Sequence, residues 1–375
     1  MKILSGIGFL ADNKDRSRSA RKDGNPGYFV WKNSNIGSEK YGGLREGRPN
    51  YYKEKIIMFN HLLAPLDGSS LAESVMPWLT ALARSWDARV TILRVLDRPE
   101  MGGCLQPVDP LEWQMCKAEA ESYLDGWSKR LREAGLQAEH VLREGNPAQR
   151  IIEYINNQGV DLIVASSHGR GGLSGWSAGS VIQKVVFWSR ISVMLVRAHR
   201  PSPDNMEDLK IRKVLVPLDC SKRAECVLGP ATTLTRLHNA KILLASVVRK
   251  PETPRSTPLS LEDLELCDRI TERNREEAEK HLELLQSRLD ADVETRLEVS
   301  DDVAVSLHEL ADKENVDLVA LSAHGYSGKT KWTYGGVTNT FINYGNTPLL
   351  IVQDFAREQM ELTEAEMAAK ERKGH

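Results

Sequence analysis

Short apolar runs alternate with amphipathic stretches along residues 58–355, and this alternation predicts two successive α/β units. The run Leu162–Ala165 has no polar face, which is typical of a parallel strand buried on both sides. The predicted strands are Phe59–Leu66, Arg89–Leu96, Ala138–Leu142, Leu162–Ala165 and Val193–Val196 in the first unit, and Val214–Leu218, Ile242–Val248, Thr295–Val299, the run after Asp317 and Leu349–Val352 in the second.

Between the strands, apolar residues recur at steps of three and four, which predicts helices on both faces of a parallel sheet. A helix through Pro77 is expected to kink, because proline lacks an amide hydrogen. One long helix in each unit is predicted to bury Cys116, Ala120, Tyr123, Leu124, Trp127 and Leu131, or Ile270, Asn274, Ala278, Leu282, Leu285 and Leu289.

The second unit repeats the first. Asp67 and Asp219 are 152 residues apart, and Pro77 and Pro230 are 153 apart. A shared spacing of this kind indicates duplication of a whole domain. We therefore predict one domain at 58–198, a linker at 199–210 and a second domain at 211–355.

The two ends of the chain differ from the repeats. Residues 1–57 hold twelve Lys/Arg, six Asp/Glu and eight Gly with few periodic apolar positions, a composition that does not support a packed core. This segment is interpreted either as a disordered basic extension or as an over-long reading frame. Residues 356–375 are charged and are predicted to form a solvated tail.

A glycine-rich loop follows the fourth predicted strand, within the stretch DLIVASSHGRGGLSGWSAGS at 161–180. Glycine lets successive amides point into one concavity, and the next helix start adds free donors and a positive dipole end, which suits phosphate. Glycine content alone favours an ordinary turn. The stretch DLVALSAHGYSGKTKWTYGGV at 317–337 repeats the layout, however, and His168–Gly179 matches His324–Gly335 in spacing.

The loop spacing Gly-x2-Gly-x9-Gly-(Ser/Thr) resembles the nucleotide loop of the universal stress protein family. Gly169 and Gly179-Ser180 match this motif, with Ser166 in place of its first glycine. The second copy has Ser322 there, and Gly336 stands where Ser or Thr is expected, so a hydroxyl group is lost. The resemblance implies tandem doubly wound, Rossmann-like sheets with strand order 3-2-1-4-5.

That strand order reverses between strands one and four, where open α/β sheets bind ligands. Asp67 and Ser166 are therefore expected to flank one crevice. By resemblance, Asp67 accepts hydrogen bonds from the ribose or adenine side and the main chain of Val95 reads the adenine edge. An alternative role for Asp67 is an Asx turn that caps the next helix.

The resemblance implies that ATP or a related adenine nucleotide binds mainly to the first unit, with Mg²⁺ as an ion that can accompany it. Amides and a hydroxyl of Gly169, Gly179, Ser180 and Val181 are expected to hold the phosphates. The candidate ligand-binding residues are Pro65, Leu66, Asp67, Val95, Ser166, His168, Gly169, Arg170, Gly172, Gly179, Ser180 and Val181 in the first unit, and Asp219, Val247, Gly325 and Gly335 in the second.

The resemblance also implies an intramolecular pseudo-dimer, paired through the fifth strands at Val193–Val196 and Leu349–Val352. We expect a regulatory module of the stress response with an unidentified protein partner. The alternative is an interaction or scaffold protein of the same fold that binds no nucleotide. The chain lacks the further motif that an adenylating enzyme of related architecture would need.

Catalytic residues and metal ligands are not predicted. His168 and His324 recur, but no second base, nucleophile or ligand recurs at a fixed offset from both. The stretch AHGYSGKT at 323–330 fits a relaxed P-loop pattern, yet the glycines that follow make a poor helix start. At most, weak ATP hydrolysis is expected.

Composition narrows the possible partners and the compartment. A net charge of −2 argues against nucleic-acid binding through phosphate contacts. No window approaches the roughly 18 apolar residues of a membrane span. Five cysteines without paired spacing fit a reducing environment, so a cytoplasmic location is expected.

Overall fold

The computed structural model describes residues 59–97, 100–101, 104–105, 109–169, 180–200, 203, 205–251, 260–326 and 333–355. Both repeats lie within one unit, Glu54–His375. The predicted extension at 1–57 and the predicted tail at 356–375 fall outside the described residues.

Within the described residues, ten strands form a single mixed sheet, and a short hairpin of Glu100–Met101 with Cys104–Leu105 pairs separately. The first repeat supplies β1 (His61–Pro65), β2 (Arg89–Leu96), β3 (Ala138–Glu144), β4 (Leu162–Ser166) and β5 (Ser192–Val196). The second supplies β6 (Lys213–Pro217), β7 (Lys241–Arg249), β8 (Val293–Ser300), β9 (Leu318–Ser322) and β10 (Leu349–Val352).

The strand order is the same in each repeat. Parallel pairing gives β3-β2-β1-β4-β5 in the first and β8-β7-β6-β9-β10 in the second, so the predicted order 3-2-1-4-5 is confirmed. The two halves join where β5 and β10 pair antiparallel, with Leu195 opposite Leu349 and Val193 opposite Ile351. The expected seam between the fifth strands is therefore confirmed.

Helices connect the parallel strands. The first repeat contains α1 (Ser70–Glu73), α2 (Met76–Trp86), α3 (Pro110–Glu133), α4 (Pro147–Gln158) and α5 (Ser180–Ser189). The second contains a 3-10 turn (Ala224–Val227), α6 (Leu228–His238), α7 (Leu261–Arg288), α8 (Val303–Lys313) and α9 (Gly336–Tyr344).

Pro77 does not kink one continuous helix. Instead, α1 ends at Glu73 and α2 begins at Met76, which places Pro77 in the first turn of α2. Proline is tolerated there because first-turn amides have no partner within the helix.

Two apolar layers cover the sheet, one on each face. Helices α2, α3, α6 and α7 contribute to the layer that contains Leu79, Leu124 and Leu282. Helices α4, α5, α8 and α9 contribute to the layer that contains Val185 and Phe341. Strands β4, β5, β9 and β10 are buried along their whole length, as expected for parallel strands covered on both faces.

The prediction that the long helices bury a full stripe is wrong in their first halves. Cys116, Ile270 and Asn274 are exposed, whereas Leu124 and Leu282 are buried. The 28 residues of α7 span about 42 Å, while the eight residues of β8 span about 26 Å. The first turns of α7 therefore have no sheet to cover. No described helix is long and apolar enough to cross a bilayer.

Candidate functional site

The first strand and the fourth strand of each repeat end beside each other, at the point where the strand order reverses. The carboxylate of Asp67, after β1, lies directly against Gly169, after β4. A Cβ atom on Gly169 would come closer than 3.0 Å to Asp67 Oδ2, a separation that real Cβ atoms essentially never show. The same conflict would arise between Gly325 and Asp219. A side chain at this position would therefore displace the aspartate carboxylate in both halves.

One oxygen of Asp67 organises the turn into α1. The amide and the hydroxyl of Ser69 donate to Asp67 Oδ1 at 2.9 and 2.6 Å, and Ser69 Oγ accepts the amide of Ala72 at 3.2 Å. The alternative prediction of an Asx turn is thus confirmed for Oδ1. Oδ2 is the oxygen that faces the glycine loop.

Near Asp67, β1 ends before its neighbour β2 does. Leu66 donates its amide to Leu93 O at 2.8 Å and buries its side chain in the core, so only its carbonyl is left for a ligand. Pro65 pairs with Leu93 as the last residue of β1. Strand β2 continues to Leu96, which places Val95 beyond the end of β1, beside the same crevice.

His168 lies directly before Gly169 and is only 6% exposed. Its Nδ1 lies 3.0 Å from Ser167 Oγ, but its Nε2 is buried without a partner among the described residues. Ser166 is also buried, and its hydroxyl accepts the His168 amide at 3.5 Å, so it supports the turn. A buried polar atom without a partner is costly and indicates a group that another molecule can satisfy.

Cationic side chains follow β5 on this side of the sheet. Burial lowers the pKa of His199, and the charges of Arg197, Arg200 and His168 lower it further. Neighbouring positive groups disfavour a further proton.

Helix α5 begins at Ser180, with Val181 as its second residue. Its first amides have no partner within the helix and carry the positive end of the helix dipole. The other predicted loop residues, Arg170, Gly172 and Gly179, lie outside the described residues, and their roles stay predictions.

The second half has the same framework, and its polar groups are bonded within the chain. Asp219 Oδ1 accepts the amide and the hydroxyl of Ser221 at 3.1 and 2.6 Å, while Oδ2 accepts the amide of Tyr326 at 2.5 Å. Val247 lies beyond the end of β6, as Val95 lies beyond β1. Asp219 therefore has both oxygens occupied.

The loop of the second half also closes on itself at its far end. Gly335 donates its amide to Ala323 O at 2.8 Å, so this amide is not free for a phosphate. Gly336 is the first residue of α9 and supplies no hydroxyl where the first half has Ser180. This loop therefore lacks the hydroxyl that the motif predicts at Ser180 in the first half.

The two loop histidines have different surroundings. His324 Nδ1 lies 2.7 Å from Asp354 Oδ1, and both side chains are 1% exposed. Asp354 also pairs with Arg223 at 3.5 Å. The matching position after β5 in the first half is Ala198, so His168 has no such carboxylate. This pair was not predicted from the sequence. The sequence does show that the residue two positions after the fifth strand differs, with Ala198 in the first half and Asp354 in the second.

Two further acidic residues, Asp161 and Asp317, were not predicted from the sequence, and they have a structural role. Asp161 accepts the amides of Asn60 and His61 at 2.8 and 3.1 Å and ties the start of β4 to the start of β1. Asp317 does the same for β9 and β6. The recurrence of Asp before each fourth strand could have revealed this role.

The geometry defines a class of protein with two tandem doubly wound domains. In each domain, an aspartate after the first strand packs on a glycine after the fourth strand. The sequence profile described as the universal stress protein family matches residues 58–197 and 210–353. The chain belongs to the universal stress protein family.

Individual relatives resemble one repeat or the whole tandem. Universal stress protein YxiE of Bacillus subtilis is 30% identical over 149 residues, which is 37% of this chain and 100% of YxiE. Universal stress protein MJ0577 of Methanocaldococcus jannaschii is 25% identical over 156 residues, covering 38% of this chain and 96% of the relative. A crystal structure of an Archaeoglobus fulgidus universal stress protein covers 80% of this chain and 100% of its own, with 17% identity and a TM-score of 0.56. That structure supports the tandem fold.

Proposed function

We propose that this chain is a stress-response regulator whose first half binds ATP or a related adenine nucleotide, and that occupancy changes its contacts with a protein partner. The observation that carries the proposal is the buried, unpartnered Nε2 of His168, directly before the glycine that packs on Asp67. An anionic ligand in the crevice would satisfy this nitrogen.

The parts of the ligand are assigned from the geometry and the motif. Asp67 Oδ2 faces the crevice for the ribose or adenine side, and the main chain of Val95 extends beyond β1 for the adenine edge. The phosphates are assigned to the loop from Gly169 to the first turn of α5, where free amides and a helix dipole favour negative charge. Mg²⁺ would arrive with the phosphates, since no group of three or more His, Cys, Asp or Glu in the described ranges could hold a metal ion.

We assign the nucleotide to the first half because its loop ends with the hydroxyl of Ser180, where the second half has Gly336. There the Tyr326 amide occupies Asp219, and the Gly335 amide is used by Ala323 O. Binding to the second half would require these bonds to break, at a cost of about 0.5–1.5 kcal/mol each or more for the charged acceptor.

A role in protein contacts without nucleotide is the second candidate, and one surface favours it. The first half of α7 exposes apolar side chains beyond the sheet, with Leu261 80%, Leu264 44%, Leu266 49% and Ile270 41% exposed. Leu261 and Leu264 lie on one side of the helix, and Leu266 and Ile270 lie on the other. Exposed apolar surface of this kind is typical of protein interaction sites. The same surface also suits the partner contact that the first proposal requires.

Calorimetric titration of ATP into the full chain distinguishes the two proposed functions. The nucleotide proposal predicts saturable binding that Gly179→Val abolishes, because the motif reserves this position for close phosphate approach. Gly345→Ala, at the end of α9, is unsuitable as a control because its Cβ would clash with Phe341 O. Gly126→Ala, with nothing within 4 Å of its Cβ, is the matched control and should bind as wild type does. Equal ATP heats for wild type and Gly179→Val would refute the nucleotide proposal.

A further inference from the structure

A cavity of about 200 Å³ lies at the seam between the two repeats. Its lining includes Trp78, Arg197, Arg200, Leu209, Lys210 and Pro348, so both repeats and the segment between them contribute. None of its lining residues belongs to the candidate nucleotide site. The cavity is therefore a separate feature of the tandem arrangement.

Positive charge collects in this cavity without compensating carboxylates. Arg197 is 2% exposed, and its guanidinium donates to the carbonyls of Phe341, Ile342 and Thr347 at the end of α9 and just beyond it. Arg200 donates to Thr347 Oγ1 at 3.3 Å. Among the described residues, no carboxylate pairs with either arginine. The carbonyl and hydroxyl acceptors leave both positive charges without a counter-ion, which favours the binding of an anion.

The charges also act on each other. Burial and the neighbouring charge of Arg200 lower the pKa of Arg197 to about 10. A guanidinium stays protonated at neutral pH even so, and two like charges remain close together. Lys210 adds a third cation to the lining, and it too has no carboxylate partner in the described part of the chain.

One acidic residue lines the cavity, but its charge is already engaged. Asp317 Oδ2 accepts the amides of Arg212 and Lys213 at 2.7 and 3.1 Å, and Oδ1 pairs with the Arg212 guanidinium at 3.3 Å. Arg212 does not line the cavity. The net charge that the cavity presents is therefore positive.

The remaining wall is apolar. Trp78 and Val196, which are 7% and 3% exposed, line it together with Leu209 and Pro348. Drug-sized ligands occupy sites of about 300–1,000 Å³, so this cavity suits a smaller molecule. Guanidinium groups match phosphate oxygens in geometry and charge.

We propose that the seam cavity binds a small phosphorylated molecule, with its phosphate between Arg200 and Lys210 and its organic part against Trp78. The bound molecule would neutralise cations that follow β5 and lie in the segment between the repeats. Since Arg197 already bonds the end of α9, occupancy would stabilise the seam itself. The proposal does not depend on nucleotide binding by the first half.

Calorimetric titration of inorganic phosphate into the full chain, at constant ionic strength in chloride, tests this proposal. We expect saturable binding that Arg200→Ala weakens at least about tenfold, because one charge-assisted bond is lost. Lys210→Ala should weaken binding in the same direction. The Arg200 side chain makes one described hydrogen bond, so we expect its variant to fold, which circular dichroism would check.

Matched controls separate the cavity from other basic surface and from the glycine loop. Arg143→Ala and Lys129→Ala remove exposed cations elsewhere and should leave phosphate affinity unchanged. Gly179→Val should also leave it unchanged. The proposal is overturned if phosphate shows no saturable binding, if Arg200→Ala binds as tightly as wild type, or if Gly179→Val alone removes the binding.

Discussion

The contact between Asp67 and Gly169 gives the sharpest test of the site. In Gly169→Ala the new methyl group overlaps Asp67 Oδ2, so the carboxylate must turn away. Turning breaks one or both bonds from Ser69, at 2.9 and 2.6 Å. A hydrogen bond to a charged group is worth about 1.5–3 kcal/mol, and we expect the free energy of unfolding to fall by about that amount.

The second repeat supplies a matched control. Gly325→Ala creates the same overlap with Asp219, which also holds Ser221 through two bonds. Both variants should therefore lose similar stability, whereas only Gly169→Ala should weaken ATP binding, by about tenfold or more. In an Asp67→Ala background the overlap is absent, and Gly169→Ala should then cost less than about 0.5 kcal/mol further.

Urea unfolding followed by circular dichroism gives the stabilities, and calorimetric titration of the folded variants gives ATP affinity. If Gly169→Ala leaves stability unchanged, the packing argument is wrong. If Gly169→Ala and Gly325→Ala weaken ATP binding equally, the assignment of the nucleotide to the first repeat is wrong.

Three further predictions concern the framework. Burial, and then the charge of Arg89, lower the pKa of His61 in the folded protein below 6.5. Neutral His61 therefore contributes its full stability above pH 6.5, and this contribution is lost as the pH falls towards the folded pKa. His61→Gln should therefore reduce the fall in unfolding free energy between pH 7 and pH 5, measured by urea titration; an unchanged pH dependence would contradict this. Tyr334→Phe removes the hydroxyl that donates to Val186 O at 2.9 Å across the seam, and it should lower the free energy of unfolding by about 1–3 kcal/mol. Tyr326 is 86% exposed, so Tyr326→Phe should lower it by less than about 0.5 kcal/mol. Equal thermal shifts for these two variants would refute the seam contact. Leu282 is 2% exposed, so Leu282→Ala should lower the free energy of unfolding by about 2–5 kcal/mol. Leu284 is 44% exposed, and Leu284→Ala should lower it much less. The opposite order would mean that α7 buries a different face.

Much of the fold follows from the sequence because the strands and the duplication leave strong periodic signals. The strands at Arg89–Leu96 and Leu349–Val352 have the predicted bounds. The seam between β5 and β10 was implied by resemblance to a family, since nothing in a strand's own residues states which neighbour it pairs with.

The sequence could not show which parts of the long helices lie on the sheet. The apolar periodicity continues through Ile270 and Cys116, but these residues are exposed because the helices extend beyond the ends of the strands. The pattern of apolar residues does not show how far a helix extends beyond the sheet. It also could not show that one oxygen of Asp67 forms a turn while the other faces the loop. Both proposed roles use the same residue, and only geometry separates the two oxygens.

The contrast between the two loops depends on residues far apart in sequence. Asp354 lies 30 residues after His324, and their contact arises only when β9 and β10 pair. The Gly336 substitution was visible in the motif, but the internal bonds of Asp219 and Gly335 were not. The proposed preference for the first repeat rests on the hydroxyl of Ser180, which Gly336 replaces in the second repeat.

Equilibrium dialysis of the full chain against ATP tests the central claim most directly, because it counts the nucleotides that each chain holds at saturation. The account predicts one nucleotide per chain, bound in the first repeat. A value of two would show that the second loop opens despite its internal bonds, and a value of zero would remove the nucleotide function altogether.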